Sequence, residues 1–188
     1  MMPTGIPHLK TDRLVLRPFS LSDAGRVMEL ADEKEIAAGT LNIPHPYTVQ
    51  MATDWIEGHA GTFIRGEGVN FAITLKKSGL LIGAIGLILH AEHDRAEMGY
   101  WIGKEYWNVG YATEAASRLI KHAFVDLRLE RVYAHHFSSN PASGRVLIKS
   151  GLRHEGTLRH HVKKQGHFQD LELYSILYDE WREGGAPD

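Results

Sequence analysis

The sequence predicts an α/β protein built on a mixed sheet, and three observations support this. Residues 13–17 alternate between polar and apolar side chains and end before Pro18, as a half-buried strand does. Two apolar stretches, 69–76 and 80–90, flank a short polar turn that is typical of a β-hairpin. Residues 111–124 carry apolar side chains at helical spacing, so a helix follows several strands.

The other elements are justified by their caps and turns. Ser22 is expected to cap a first helix and Thr48 a second one. The later elements are a strand over 96–102, a strand over 131–137, a short helix over 141–150 and a final hairpin that turns near Gln165 and Gly166. The resulting order is strand, two helices, three strands, helix, strand, helix, two strands. This order differs from a repeating βαβ ladder, so we expect a mixed sheet.

The composition fits one globular domain. Of the 188 residues, 43% are hydrophobic and 23% are charged. A chain of this length buries roughly 70% of its unfolded surface, which supports a core without metal or disulfide. No linker, repeat or low-complexity tract divides the sequence. The domain is therefore expected to span 1–188, with a core over 11–181.

Charge and cysteine content exclude several function classes. A net charge of -2 without a basic block gives no footprint for nucleic acid. With no cysteine, disulfides, thiolate zinc sites, iron–sulfur clusters and a cysteine nucleophile are ruled out. No signal peptide is indicated, and the longest apolar run, 80–89, is about half of a membrane span. We therefore expect a cytoplasmic protein without a membrane partner.

The segment over residues 106–116 carries the strongest chemical signal. A strand, a short glycine-containing turn and an immediate helix start place free backbone N–H groups at a positive helix end, which can bind phosphate. Gly110 and Ala112 have little or no side chain, so a pyrophosphate could approach the main chain. The segment is neither a Walker loop nor a dinucleotide fingerprint. On spacing alone, an ordinary helix cap remains the alternative.

Several stretches match one family's pattern in order along nearly the whole chain. They are residues 97–102, 106–115, 140–143 and 149–152. Together they resemble the GNAT N-acetyltransferases, and residues 11–17, 43–47 and 155–159 are similar to the RimJ/RimL-like branch, which acetylates the N-termini of ribosomal proteins. The resemblance implies a twisted, mostly antiparallel sheet of about seven strands, with helices on both faces and a V-shaped opening between two central parallel strands.

The resemblance also implies acetyl-CoA as the acyl donor, held in that opening. The family's pyrophosphate loop maps onto residues 107–112, where Trp107 replaces the usual Gln or Arg. The main chain of Tyr100, Trp101 and Ile102 would pair with pantetheine as an added strand does. Asn140 matches a pantetheine-contacting asparagine and is equally a helix N-cap before Pro141. The implied cofactor contacts are Tyr100, Trp101, Ile102, Trp107, Asn108, Val109, Gly110, Tyr111, Ala112, Thr113, Asn140 and Ser143.

Two residues compete for the role of general base. His135 stands where relatives usually carry a glutamate facing the active site, and an ordinary histidine titrates near 6.5, so it can act at neutral pH. Glu97, on the neighbouring strand, could act through water or could pair with Arg95. Many relatives protonate the thiolate with a tyrosine, but that position here is Leu147. Ser143 is a candidate substitute, although a thiol near 8.5 can leave without an acid.

The acceptor is the least defined part of the prediction. By resemblance to the branch, His45, Tyr47, Arg159 and Asp170 are expected to flank it. A protein N-terminal α-amine is the first choice, and a polyamine, aminoglycoside or amino-acid conjugate is the second. A non-catalytic acyl-CoA-binding module is the third. No metal is expected, because adjacent strand histidines point to opposite faces. The sequence leaves open whether the chain forms a homodimer.

Overall fold

The computed structural model describes residues 5–184, and an eight-stranded sheet forms its centre. The strands are β1 (Leu9–Lys10), β2 (Leu14–Arg17), β3 (Gly68–Leu75), β4 (Leu81–His90), β5 (Arg95–Ile102), β6 (Arg131–Phe137), β7 (Arg153–Lys164) and β8 (His167–Leu177). The helices are α1 (Ala24–Ala31), α2 (Lys34–Gly39), α3 (Val49–Ile64), α4 (Tyr111–Val125), α5 (Pro141–Lys149) and α6 (Tyr178–Glu183).

The sheet has the order β1-β2-β3-β4-β5-β6-β8-β7, and β5 and β6 are its parallel neighbours. These two strands pair at three positions, the last of which sets Glu97 opposite Tyr133. Beyond that position they separate and leave a V-shaped opening. The predicted mixed, mostly antiparallel sheet is therefore confirmed. The strand that the prediction missed is β1, where Leu9 pairs with Leu16 over only two residues.

Helices cover both faces of the sheet, as predicted. On one face, Leu119 of α4 is buried in the same cluster as Met98 of β5 and Val132 of β6. On the other face, α1 and α3 pack over β3 and β4, where Ala52 and Ala72 are fully buried. On this second face Trp101 of β5 packs at the edge of the α1–α3 cluster, whereas Glu97 of β5 and His135 of β6 are only partly buried.

Most local signals act where they were expected. Thr48 caps α3, because its hydroxyl accepts from Met51 N at 3.3 Å. The expected cap at Ser22 is wrong: a 3-10 turn over Leu21–Asp23 precedes α1, which begins at Ala24. The Ser22 hydroxyl lies within that turn, 2.7 Å from Ser20 Oγ.

Two short helices were not predicted. Both α2 and α6 have six residues, too few to show a helical period. Beyond the expected end of the core at residue 181, α6 continues to Glu183, and residues 185–188 lie outside the described residues.

Candidate active site

The opening between β5 and β6 exposes main-chain groups of β5. Gly103 N donates to Ile82 O of β4 at 2.9 Å, and hydrogen-bonded positions alternate along antiparallel strands. Trp101 therefore directs its main chain to β4, whereas Tyr100 and Ile102 direct theirs to the opening. Of the three residues expected to pair with pantetheine through the main chain, Trp101 is thus engaged in the sheet, and it lines the opening with its side chain.

The turn before α4 leaves several N–H groups free. Asn108 has a φ of 62° and Gly110 a φ of 89°, so both lie in the left-handed region. Glu114 N donates to Gly110 O at 3.1 Å, and the N–H groups of residues 111–113 have no partner within the helix. A Cβ added at Gly110 would lie 3.4 Å from Arg13 Nη2, at a φ that L side chains rarely adopt. A free, positive helix end of this kind suits a pyrophosphate.

Arg13, to which sequence reasoning gave no role, braces this turn. Its Nε donates to Glu114 Oε2 at 2.6 Å, and its Nη1 donates to Val109 O at 3.0 Å. Its guanidinium also lies over the Tyr111 ring, 4.7 Å from the centroid. These contacts join the start of β2 to the loop and to the first turn of α4. Arg13 lies in residues 11–17, which are similar to the RimJ/RimL-like branch. That similarity is the sequence feature that could have indicated a role for Arg13.

Trp107 has a structural role in the same loop. Its Nε1 donates to Ile102 O at 2.6 Å, so the indole N–H is already used and does not replace the family's Gln or Arg as a phosphate donor. The contact ties the loop to the end of β5. It also occupies the Ile102 carbonyl, which leaves the N–H of that residue as its group for pairing in the opening.

Ser143 and Tyr100 meet across the opening. Ser143 Oγ lies 2.7 Å from the Tyr100 hydroxyl, and either atom can donate. Burial raises the pKa of Tyr100 to about 12, so the phenol stays protonated at neutral pH. Asn140 caps α5, since its side chain accepts from Ser143 N at 3.4 Å. Leu147 is fully buried, so the position of the family tyrosine contributes no polar group.

A cavity of about 700 Å³ joins these features into one site. Its wall runs from α2 past the end of β5 and the loop before α4 to α5, and it includes Asn140 and Ser143. Two cations of α5, Arg145 and Lys149, also line it. They lie four residues apart and hence on one helix face. This spacing is visible in the sequence, but neither residue was predicted to line the site. The donor set is a helix end with added cations, which fits a polyphosphate ligand such as CoA.

On the other side of the sheet, Glu97 and His135 form one pair. His135 Nδ1 lies 3.4 Å from Glu97 Oε1, and the two side chains are 29% and 28% exposed. From the sequence alone, the two residues were alternative candidates for the general base. The expected partner of Glu97, Arg95, instead lies over the Tyr133 ring at 5.7 Å. The predicted alternation holds, because His136 points the other way, toward Gly144 of α5.

A second cavity, of about 360 Å³, leads to this pair. Its wall includes the apolar side chains of Ile43, Tyr47 and Trp55. Among the described residues that line it, Glu97 is the only carboxylate and there is no lysine or arginine. The cavity therefore offers one anionic group, beside His135, to an incoming amine.

The expected acceptor contacts separate into two groups. Tyr47 lines the second cavity, and burial raises the pKa of its phenol. His45 instead lies 3.1 Å from Asp32 Oδ1. Asp170 accepts from His160 N at 2.6 Å and so holds the bulge of β7, while Arg159 is exposed. These three expected contacts, His45, Asp170 and Arg159, line neither cavity.

Lys164 joins the final hairpin to α2. Its Nζ donates to the carbonyls of Ala37, Ala38 and Thr40, and it lies 5.0 Å from the centroid of the Phe137 ring. The end of α2 lines both cavities, so this lysine fixes a wall that they share. Burial lowers the pKa of Lys164.

Within residues 5–184, no group of three or more His, Asp or Glu side chains is placed to hold a metal ion. In the same residues, no helix combines the length and the apolar character needed to cross a membrane.

Comparison with known proteins assigns the family. Residues 13–153 match the model of the acetyltransferase (GNAT) domain. The chain is 33% identical over 172 residues to the uncharacterized N-acetyltransferase YoaA of Bacillus subtilis, covering 91% of this chain and 97% of that protein. It is 28% identical over 138 residues to the ribosomal-protein-serine acetyltransferase of Escherichia coli, covering 71% and 76%.

A solved structure supports the same fold. The ribosomal alpha-N-protein acetyltransferase RimL, solved with coenzyme A, superposes with a TM-score of 0.84 at 16% identity over 93% of this chain and 99% of that one. These relatives agree with the RimJ/RimL-like branch that the sequence predicts. The chain belongs to the GNAT family and is an acetyl-CoA-dependent N-acetyltransferase.

Proposed function

We propose that this N-acetyltransferase acts on an α-amine, with a peptide or protein N-terminus as acceptor. The observation that carries the proposal is the Glu97–His135 pair, which lies at the vertex of the opening and at the end of the smaller cavity. The larger cavity, on the opposite face, holds the donor. The two reactants thus approach the opening from opposite sides of the sheet.

The residues on the donor side of the site bind acetyl-CoA and orient it. Acetyl-CoA supplies a thioester acyl group when it is bound. The free N–H groups at the start of α4 hold pyrophosphate, and Arg145 and Lys149 add positive charge nearby. The main-chain groups of Tyr100 and Ile102 that face the opening align the pantetheine arm, and a main-chain N–H there is placed to stabilise negative charge on the acyl oxygen.

The residues on the acceptor side of the site remove a proton from the amine. His135 Nε2, which is free of the Glu97 contact, takes a proton from the amine, and the Glu97 carboxylate, 3.4 Å from Nδ1, attracts the imidazolium that forms. A C–N bond forms and the C–S bond breaks. The sulfur departs as a thiolate, and Ser143 Oγ, paired with the Tyr100 hydroxyl at 2.7 Å, is placed to donate a hydrogen bond to it.

The charge of the cavity favours an α-amine. A free α-amine titrates near 7.7–8.0 and a lysine near 10.4, so deprotonating lysine costs about 3 kcal/mol more at a given pH. One carboxylate in the described wall matches one cationic group, whereas polyamines and aminoglycosides carry several. The Escherichia coli relative is named for a ribosomal protein, which supports a protein N-terminus. A small amine is the second candidate, because about 360 Å³ is enough for a whole small ligand.

Matched acceptors test this proposal. The panel contains a short peptide with a free N-terminus and no lysine, the same peptide with a blocked N-terminus and one lysine, a small aromatic amine and spermidine. Thiol release from acetyl-CoA is the readout. We expect turnover with the first peptide and none with the second. Turnover confined to the small amine or to spermidine overturns the choice of acceptor. CoA binding without thiol release for any amine would identify a binding module.

Variants test the pair. His135→Ala should lower the rate by about 10²–10⁴-fold with little change in CoA affinity, and His135→Glu should recover part of the activity. His161→Ala, at an exposed histidine of the final hairpin, is the control and should retain full activity. If Glu97→Gln abolished activity while His135→Ala kept it, Glu97 would be the base.

A further inference from the structure

A chain of polar contacts leads away from the Glu97–His135 pair. Glu97 Oε2 accepts from the Tyr133 hydroxyl at 3.3 Å, and the same hydroxyl lies 3.1 Å from His90 Nε2. The rings of Tyr133 and His90 are also stacked, with centroids 6.2 Å apart. Four side chains therefore follow one another as His135, Glu97, Tyr133 and His90.

The strand register explains why these side chains meet. Glu97 is opposite Tyr133 in the last parallel pair, and His90 is opposite Arg95, two residues before Glu97. Side chains two residues apart share a face, so all of them lie on the face away from α4. The chain begins at the cavity and ends at the last residue of β4, where the exposed turn 91–94 begins.

We propose that Tyr133 and His90 form an exit path that carries the amine's proton from the Glu97–His135 pair to solvent at the end of β4. This proposal rests on the proposed role of His135 as the base. An acceptor that fills the cavity covers His135 Nε2, so the proton leaves through the opposite ring nitrogen.

The path conserves one proton and needs no oxidant or reductant. His135 Nε2 gains the amine proton as Nδ1 gives its own to Glu97 Oε1. The protonated Glu97 carboxyl rotates, so that the same proton faces the Tyr133 oxygen and passes to it, while the Tyr133 hydroxyl turns from Glu97 to His90 and gives its original proton to His90 Nε2. His90 Nδ1 then releases a proton to water. At rest the Tyr133 hydroxyl donates to Glu97 Oε2 and lies 3.1 Å from His90 Nε2, so a rotation of its one hydrogen sets the direction that the relay requires.

Charged groups surround the Tyr133 ring, but the Tyr133 phenol itself stays neutral. The guanidiniums of Arg95 and Arg131 lie 5.7 and 5.9 Å from the Tyr133 ring centroid, and Arg131 also pairs with Glu155 at 2.6 Å. Burial and the Glu97 charge raise the pKa of Tyr133, so the phenol exchanges protons without ionising. The exposed turn beyond His90 carries Glu92, His93 and Asp94, which face water.

Buffer dependence tests the path, with a peptide acceptor that the enzyme turns over. In dilute buffer, Tyr133→Phe and His90→Ala should each lower kcat by about 3–10-fold at unchanged acceptor KM and CoA affinity. Added imidazole should restore kcat of His90→Ala, since a mobile base replaces the missing ring. His93→Ala removes an exposed histidine three residues away and should show neither loss nor rescue.

Two outcomes separate this proposal from the one on which it rests. If His135→Ala abolishes activity but Tyr133→Phe and His90→Ala keep wild-type kcat in dilute buffer, the exit path is wrong and the base is right. A loss in His90→Ala that imidazole does not rescue also overturns the path, because it indicates a packing role. If His135→Ala keeps full activity, the proposed base itself fails.

Discussion

Gly110→Val should weaken CoA binding by at least about tenfold, which is roughly 1.4 kcal/mol. The glycine has a φ of 89°, and a Cβ built there lies 3.4 Å from Arg13 Nη2. A β-branched residue in the left-handed region costs about 1–3 kcal/mol, so the turn before α4 must change to relieve it. That change reorients the free N–H groups at the start of the helix.

The magnitude follows from the bonds that are lost. A hydrogen bond to a charged group contributes about 1.5–3 kcal/mol, so losing a single N–H contact to pyrophosphate accounts for about 10–150-fold in affinity. Isothermal titration with CoA measures this directly and does not need an identified acceptor.

Gly79→Val is the matched control. Gly79 also has a left-handed φ, 74°, with no atom within 4 Å of an added Cβ, and it lies in the β3–β4 turn. It should show a comparable loss of thermal stability and unchanged CoA affinity. If Gly110→Val bound CoA as tightly as the wild-type protein while its melting temperature fell like that of Gly79→Val, the start of α4 would not be the pyrophosphate site.

Three further outcomes are expected. Burial without a hydrogen-bond partner lowers the pKa of His59 to about 4, so the free energy of unfolding should fall by up to about 3 kcal/mol as the pH falls from about 6.5 to 4. In thermal melts, the Tm of His59→Leu should therefore fall less with acid than the Tm of the wild-type protein. An equal pH dependence of the two proteins contradicts this. The Arg131 contact lowers the pKa of Glu155 to about 2, so Glu155→Gln should lower Tm by about 2–4 °C at pH 7. The Tm difference between this variant and the wild-type protein should close below about pH 4. The control Glu57→Gln, at an exposed carboxylate, should leave Tm unchanged. Lys164→Met should speed hydrogen exchange of α2 by about tenfold or more, because three carbonyls lose a cationic donor; unchanged exchange argues against the clamp.

The candidate site was predictable where it depends on consecutive residues. The turn before α4 lies within one segment, and its glycine and free N–H groups follow from local geometry. The cap at Asn140 and the alternation that separates His135 from His136 are local in the same sense.

Contacts between distant elements were not predictable. Arg13 meets Val109 and Glu114 about a hundred residues away, and Lys164 reaches α2 across more than 120 residues. Asp170 shows the converse, because its carboxylate accepts from the His160 amide at the bulge of β7 and lines neither cavity, a contact that no local pattern indicates.

The sequence by itself determined the family, the order of the long elements and the glycine-containing turn before α4, because each depends on periodicity or on a motif within one stretch of chain. Only the tertiary structure decided that Glu97 and His135 lie side by side as one pair. That pairing depends on where β5 and β6 stop pairing, after Glu97 meets Tyr133. β5 and β6 are parallel and are joined through α4, so no tight turn fixes where their pairing ends, and that point depends on how the sheet packs against α4.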